Sequence, residues 1–148
     1  MTGSRQLRLQ IADMAELIEN KKLKLQVEIP EHLYADVNPV MMDKVFSNLL
    51  LNAIRYTPEE KGNHIRVLLK PGTDTGTVYC QIENTGVFIP EEALSHVFEA
   101  FYRVEQSRNR QTGGSGLGLY IVKMILDQHG AAYCMDNTNE GVRFSFSL

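Results

Sequence analysis

Two asparagines one helical turn apart are the first feature of the sequence that can do chemistry. Asn48, Asn52 and Arg55 are spaced i, i+4, i+7, so a helix would place them in one polar stripe beside its apolar face. Asparagine is a poor helix former because its side chain competes for backbone hydrogen bonds. The pair therefore has one of two explanations. Either the amides are satisfied by nearby backbone groups, or they serve a binding site.

A glycine-rich segment that leads into a helix is the second such feature. It reads Gly113-Gly-Ser-Gly-Leu-Gly-Leu119 and precedes a helical pattern that ends near Gln128. Glycine permits close backbone approach, and a helix start offers unpaired N–H groups, so the combination suits phosphates. No Gly-Lys-Ser/Thr follows, which excludes a Walker A loop, and the dinucleotide fingerprint is not met in register. Alone, an ordinary loop explains the segment equally well.

Two further segments are mixed in character. Residues Ile82–Pro90 read as a strand that ends in a polar corner with one glycine. Residues Val97–Arg103 include the aromatic residues Phe98, Phe101 and Tyr102. Arg108 and Arg110 follow in a polar loop. Taken alone, the aromatic side chains predict core and the arginines predict solvated surface.

The sequence predicts an α+β two-layer sandwich to position these residues, because predicted strands come in neighbouring pairs around intervening helices. In the second long helix, Phe46, Leu49, Leu50 and Ala53 form the expected buried face. Helices are predicted over residues 1–20, 38–55, 91–96 and 117–128, and strands over 24–29, 64–70, 77–83, 131–136 and 142–146, with a short extended piece at 34–37 and a polar loop at 103–114.

The N-terminal helix carries a short apolar stripe of Leu7, Ile11, Met14 and Ile18. The stripe is shorter than the three or four heptads that indicate a coiled coil. A helix that packs on its own domain and the end of a longer dimerisation helix both fit. We expect residues 1–22 to form a helical tail and residues 23–148 to form the domain proper.

Composition indicates one globular domain of 148 residues, with 43% hydrophobic residues and a net charge of -3. This charge excludes nucleic acid as the main partner. No apolar run reaches the length of a membrane span, so we expect a soluble chain, although a piece of a membrane protein would look the same. Cys80 and Cys134 are expected to be reduced thiols used as small apolar residues. The histidines show no zinc-ligand spacing.

In combination, the four segments resemble the catalytic ATP-binding domain of sensor histidine kinases, whose fold is shared with gyrase, Hsp90-type and MutL-type ATPases. Asn48–Pro58 is similar to the N box, Glu83–Pro90 to the first glycine box, Val97–Arg103 to the F box and Gly114–Leu119 to the second glycine box. The resemblance extends over about residues 24–148. It implies a mixed sheet that helices cover on one face.

The resemblance also implies that the chain binds ATP and Mg²⁺. Asn52 would supply an amide oxygen to Mg²⁺, an ion that prefers hard oxygen ligands. Arg103 and Arg108 would stabilise charge on the γ-phosphate, and Tyr56 would pack on the adenine ring. The full set of nucleotide-binding candidates is Asn48, Asn52, Arg55, Tyr56, Asn84, Gly86, Ile89, Gly114, Ser115, Gly116, Leu117 and Gly118.

The first glycine box departs from the family pattern at two positions. Asn84 stands where the family has an aspartate that accepts a hydrogen bond from the adenine amino group, and Phe88 replaces the second glycine. The amide keeps a carbonyl acceptor but loses charge assistance, a difference of roughly 1 kcal/mol. We therefore expect adenine recognition to be weakened and not abolished.

The family's phosphoacceptor motif is absent, because neither His32, His64, His96 nor His129 has its sequence context. The resemblance thus implies that the γ-phosphoryl group passes to a histidine on a separate dimerisation domain of the same sensor kinase, and then to a response regulator. We expect this chain to be a monomeric cytoplasmic domain of a membrane-anchored sensor.

Two other functions stay open. One is a same-fold ATPase or protein serine kinase, which is disfavoured because Asn48 occupies the position of the catalytic glutamate of those enzymes. The other is a regulatory binding module that has lost nucleotide. Within the kinase class, the segments Glu83–Gly86 and Phe101–Glu105 resemble those of glycopeptide (vancomycin) resistance sensors.

Overall fold

A five-stranded mixed sheet with helices packed on one face forms the centre of the fold. The computed structural model describes residues 2–59, 62–73, 76–100, 102 and 117–148. The elements are β1 (Thr2–Gly3), α1 (Ser4–Asp13), α2 (Ala15–Asn20), β2 (Lys24–Glu28), β3 (Tyr34–Ala35), α3 (Pro39–Tyr56), β4 (His64–Pro71), β5 (Val78–Thr85), α4 (Glu91–Leu94), α5 (Gly118–Gln128), β6 (Ala132–Asn137) and β7 (Gly141–Ser147). The predicted α+β architecture is confirmed.

The strand order of the sheet is β2-β4-β5-β7-β6. β2 is parallel to β4, and the other neighbouring pairs are antiparallel. Along β4, Ile65, Val67 and Leu69 are buried while the residues between them are half-buried. This alternation is typical of a strand with one face against the core. On the opposite face, Arg66 Nε donates to Gln26 Oε1 at 2.9 Å.

α3 is the long helix that the apolar pattern predicts. The Asn38 side chain caps its start by accepting from the Met41 N–H at 3.1 Å, and Pro39 occupies the first position, where its missing N–H costs nothing. The helix ends at Tyr56, just before the Thr57-Pro58 pair. The predicted face of Phe46, Leu49, Leu50 and Ala53 is buried.

The N-terminal segment differs from the predicted single helix. Thr2 and Gly3 form a strand with β3, and the helix is interrupted at Met14, whose N–H donates to the Ile11 carbonyl at 3.1 Å in a tight turn. The interruption keeps the predicted stripe on one side, because Leu7, Ile11, Met14 and Ile18 are all buried in the same core as α3. The division of the chain near residue 22 stays a prediction.

Several boundaries move by one or two residues. β5 continues through Thr85, so Asn84 lies inside a strand and not in the predicted polar corner. α4 ends at Leu94, and α5 begins at Gly118. Cys134 is exposed, so its predicted use as an apolar residue is wrong, whereas Cys80 is buried. In the part of the chain that the structure describes, no helix has the length and apolarity that a membrane span needs.

Candidate functional site

The start of α5 lies against the middle of α3, and this contact brings two candidate residues together. A Cβ added to Gly118 would lie 3.2 Å from Asn48 Oδ1 and 3.8 Å from its Cγ. Any larger side chain at this position would press on the amide. The two helices therefore approach each other closely at Gly118. The start of α5, whose first N–H groups have no partner within the helix, lies near the polar stripe of α3.

The two asparagines of the stripe have different surroundings. Asn48 Nδ2 donates to the Lys44 carbonyl at 2.8 Å, one turn earlier in the same helix. Its amide is therefore satisfied in part by backbone. The Asn52 side chain is half-buried and has no hydrogen bond among the residues that the structure describes. A hydrogen bond to the backbone thus explains the presence of Asn48 in part. The carboxamide of Asn52 has no such bond to a described residue and can bind a ligand.

A lysine from the N-terminal segment stabilises the end of α3. Lys21 Nζ donates to the carbonyls of Ile54 at 2.6 Å, Thr57 at 2.7 Å and Arg55 at 3.3 Å. A cation here satisfies free carbonyls and opposes the negative end of the helix dipole. Burial lowers the pKa of Lys21, and the Glu59 carboxylate opposes this shift. The sequence alone gives no signal for this contact, which depends on the tertiary fold.

Arg55 and Tyr56 lie at this end of α3. The Arg55 side chain is exposed and that of Tyr56 is half-buried. Neither side chain has a hydrogen bond within the described ranges. Both are free to meet a ligand, and the structure does not bring them into contact with another candidate residue.

Asn84 is a polar side chain in an apolar row of the sheet. Its neighbours across β4 and β7 are Ile65 and Val142, both buried. Asn84 itself is 7% exposed, and its Nδ2 is buried without a hydrogen-bond partner. A buried donor that lacks a partner costs about 1–3 kcal/mol. Such a group in a native fold needs an explanation, and a hydrogen bond to a bound ligand is one.

The loop after β5 is held by an asparagine that the sequence analysis does not single out. Gly86 has φ +88°, and a Cβ there would lie 2.7 Å from both Nδ2 and Oδ1 of Asn63. Asn63 Oδ1 accepts from Thr85 Oγ1 at 3.1 Å, while its Nδ2 donates to the Pro58 carbonyl at 3.0 Å. Asn63 therefore ties this loop to the segment that follows α3.

A second asparagine holds the same loop from the other side. The Ile89 N–H donates to Asn137 Oδ1 at 2.9 Å, and Asn137 Nδ2 donates to the Ile89 carbonyl at 2.8 Å. The Gly86 N–H donates to the Glu140 carbonyl at 3.1 Å. Phe88, between these anchors, is 54% exposed and fills no part of the core. From the sequence, Asn137 is only a residue between the predicted strands 131–136 and 142–146.

Val97 and Phe98 of the aromatic segment pack in the core. Val97 is buried, and the Phe98 ring meets the rings of Tyr133 and Phe144 edge-on at 5.4 and 5.8 Å between centroids. The prediction that these aromatic side chains pack in the core is therefore confirmed for Phe98.

The remaining candidates divide into two groups. Leu117 and Gly118 are described and half-buried. Five candidates lie outside the described residues, namely Arg103, Arg108, Gly114, Ser115 and Gly116.

The described arrangement fits a nucleotide and a hard cation. The free amide of Asn52 offers an oxygen of the type that Mg²⁺ prefers. The start of α5 offers N–H groups to anionic oxygens. The unpaired Asn84 amide offers hydrogen bonds to a polar ring edge. These three groups come from three different elements that pack together in one core.

Comparison with known proteins agrees with this geometry. The sequence profile of the family described as histidine kinase-, DNA gyrase B-, and HSP90-like ATPase matches residues 37–148. Sensor protein VanSB of Enterococcus faecalis is 36% identical over 138 residues, which are 93% of this chain and 30% of VanSB. The chain thus spans less than a third of that relative.

Solved structures show the same fold. The catalytic domain of histidine kinase ThkA, in a nucleotide-free form, matches with a TM-score of 0.83 at 27% identity, covering 97% of this chain and 90% of that one. ThkA in complex with the response regulator protein TrrA matches with a TM-score of 0.78 at 25% identity, covering 97% of this chain and 39% of that one.

Proposed function

The chain belongs to the family of histidine kinase-, DNA gyrase B- and HSP90-like ATPases, and from this premise we propose that it binds Mg-ATP and donates the γ-phosphoryl group to a histidine on a separate dimerisation domain of a sensor kinase. Its resemblance to sensor histidine kinase catalytic domains supports the proposal. The observation that carries it is the approach of Gly118 to Asn48 beside the Asn52 amide, which has no hydrogen bond to any described residue.

In this proposal, α3 and α5 hold the triphosphate between them. Asn52 Oδ1 would hold Mg²⁺, and the ion would neutralise charge on the phosphate oxygens. Asn48 lines the same region, and the N–H groups at Leu117 and Gly118 donate to phosphate oxygens. Arg55 reaches them from the end of α3.

The base lies at the end of β5. Asn84 offers its amide to the base edge, Tyr56 packs on the ring, and the anchored loop with Gly86 and Ile89 forms the wall. Five candidates keep their predicted roles from sequence alone. Arg103 and Arg108 act on the γ-phosphate, while Gly114, Ser115 and Gly116 wrap the phosphates.

Transfer requires an imidazole, and none of the four histidines of this chain has the sequence context of the family's phosphoacceptor. The bond between the β,γ-bridging oxygen and the γ-phosphorus breaks, and a bond to an imidazole nitrogen forms while ADP leaves. Both ring nitrogens of His129 have partners, since Nδ1 lies 2.8 Å from the Ile125 carbonyl and Nε2 accepts from the Asn38 N–H at 3.3 Å. His96 pairs with Glu99. An acceptor elsewhere in the intact protein agrees with these contacts.

The rest of the proposal concerns the whole protein. The complex of ThkA with the response regulator protein TrrA supports a response regulator as the next acceptor of the phosphoryl group. The chain would be a monomeric cytoplasmic part of a membrane-anchored sensor, and VanSB among its relatives supports a sensor of the glycopeptide-resistance type. Hydrolysis as the main reaction is disfavoured, because the Asn48 carboxamide cannot act as a general base toward water.

Calorimetric titration with Mg-ATP tests the proposal. The wild-type chain is expected to bind in the presence of Mg²⁺ and to lose much of its affinity when the metal is chelated. Asn52→Ala should weaken Mg-ATP binding at least about tenfold and should reduce the effect of the chelator, because a metal ligand is gone. Asn20→Ala, the same change at an exposed position at the end of α2, should leave binding unchanged. No binding by the wild type, or equal binding by Asn52→Ala, would refute the proposal.

Incubation with γ-labelled ATP tests the direction of transfer. The chain alone should form no phosphohistidine, and it should label a longer protein that contains the dimerisation domain. Labelling of a histidine in the chain alone, or steady ATP turnover without an acceptor, would contradict the assignment.

A further inference from the structure

Asn84 is the residue of the proposed site that would meet the base of the nucleotide. It is more than nine-tenths buried, and its Nδ2 has no partner. Ile65 and Val142 on the neighbouring strands offer no polar side-chain atom to it. The neighbouring strands therefore leave the amide without a partner, and the proposed function places the base of the nucleotide beside it.

The chemistry of a carboxamide differs from that of a carboxylate at this position. A carboxylate only accepts hydrogen bonds, whereas an amide has one donating and one accepting edge and exchanges them by a half-turn of its terminal torsion. Adenine presents the N6 amino donor beside the N1 acceptor. A 6-oxopurine presents the O6 acceptor beside the N1–H donor. Asn84 can pair with either edge, while an aspartate would place a negative charge against O6.

We propose that Asn84 makes this site accept 6-oxopurine nucleoside triphosphates as well as ATP. The inference rests on the proposed function and adds a specificity that an acceptor-only residue would not have. Discrimination between such bases depends on leaving a buried polar group unpaired in the wrong complex. The rotatable Asn84 amide leaves no group unpaired with either base.

Inosine triphosphate is the suitable probe, because hypoxanthine has the 6-oxo group and lacks the 2-amino group of guanine. The experiment compares the Kd of Mg-ITP with that of Mg-ATP for the wild type, Asn84→Asp and Asn20→Asp. The wild type is expected to bind the two nucleotides within about tenfold of each other. Asn84→Asp should raise the ratio of the ITP Kd to the ATP Kd at least about tenfold, mainly through lost ITP binding. Asn20→Asp adds the same charge at an exposed site and should leave the ratio unchanged.

The outcomes separate this inference from the proposed function. ATP binding by the wild type with ITP binding more than about tenfold weaker would overturn the inference and leave the proposed function standing. An unchanged ratio in a folded Asn84→Asp chain would also overturn it. If Asn84→Asp does not fold, the ratio of the ITP Kd to the ATP Kd of the wild type alone decides whether the inference stands. Failure of the wild type to bind either nucleotide would refute the proposed function and the inference together.

Discussion

Replacing Gly86 by alanine tests how the loop after β5 is held. Two separate effects act at this residue. Its φ of +88° is a conformation that costs an L-residue about 1–2 kcal/mol. The new Cβ would also lie 2.7 Å from the Asn63 amide, so that amide must move and lose its bond to Thr85, worth about 1 kcal/mol. We therefore expect Gly86→Ala to lower the free energy of unfolding by about 2–3 kcal/mol.

A double-mutant cycle separates the two effects. In an Asn63→Ala background the amide is gone, so Gly86→Ala should cost only the backbone part of about 1–2 kcal/mol. Gly76→Ala is the matched control, because Gly76 has φ +82° and a Cβ there would have nothing within 4 Å. Urea unfolding followed by circular dichroism gives each free energy. Equal costs of Gly86→Ala in both backgrounds would show that Asn63 does not hold this glycine, and the account of the loop would be wrong.

Three further predictions concern the helices and the core. Lys21→Met should lower the free energy of unfolding by about 1–2 kcal/mol, because α3 loses a charged cap, whereas Lys22→Met at an exposed neighbour should cost little. Burial raises the pKa of Cys80 from 9.0 to about 12, so only the unfolded thiol ionises between these values. As pH rises through this window, the free energy of unfolding of the wild type should fall by about 1.4 kcal/mol per pH unit more than that of Cys80→Ala. Gly118→Ala should change the free energy of unfolding by less than about 1 kcal/mol, because the helix propensity gained opposes the close contact of its Cβ with Asn48, and the same contact should weaken Mg-ATP binding. Reduced stability with unchanged binding would contradict this.

Local patterns were sufficient to predict the architecture. The spacing of Phe46, Leu49, Leu50 and Ala53 predicts the buried face of α3, because helix periodicity is a property of the chain itself. The predicted end at residue 55 lies one residue before the observed end, next to the Thr57-Pro58 pair. The interruption at Met14 was not predictable in this way. No glycine or proline marks it, and it depends on packing against the core.

In the candidate site, too, local patterns predict some residues, while others depend on tertiary contacts. The polar stripe of α3 and the glycine at the start of α5 are visible in the sequence, and the fold brings Asn48 and Gly118 together. The local patterns do not predict the roles of Asn63, Asn137 and Lys21, because each side chain contacts a distant part of the chain: Asn63 contacts Thr85, Asn137 contacts Ile89 and Lys21 contacts Ile54. Such contacts leave no periodic or compositional signal.

The side-chain amide signals of the ¹⁵N-labelled chain test the central claim most directly. Titration with a nonhydrolysable ATP analogue and Mg²⁺ should shift the NH₂ resonances of Asn52 and Asn84, while those of the exposed Asn20 stay in place. Omission of Mg²⁺ should reduce the shift at Asn52 more than that at Asn84, because only Asn52 is proposed to meet the metal. Unchanged signals at both residues with saturating nucleotide would contradict a site built between α3, β5 and α5.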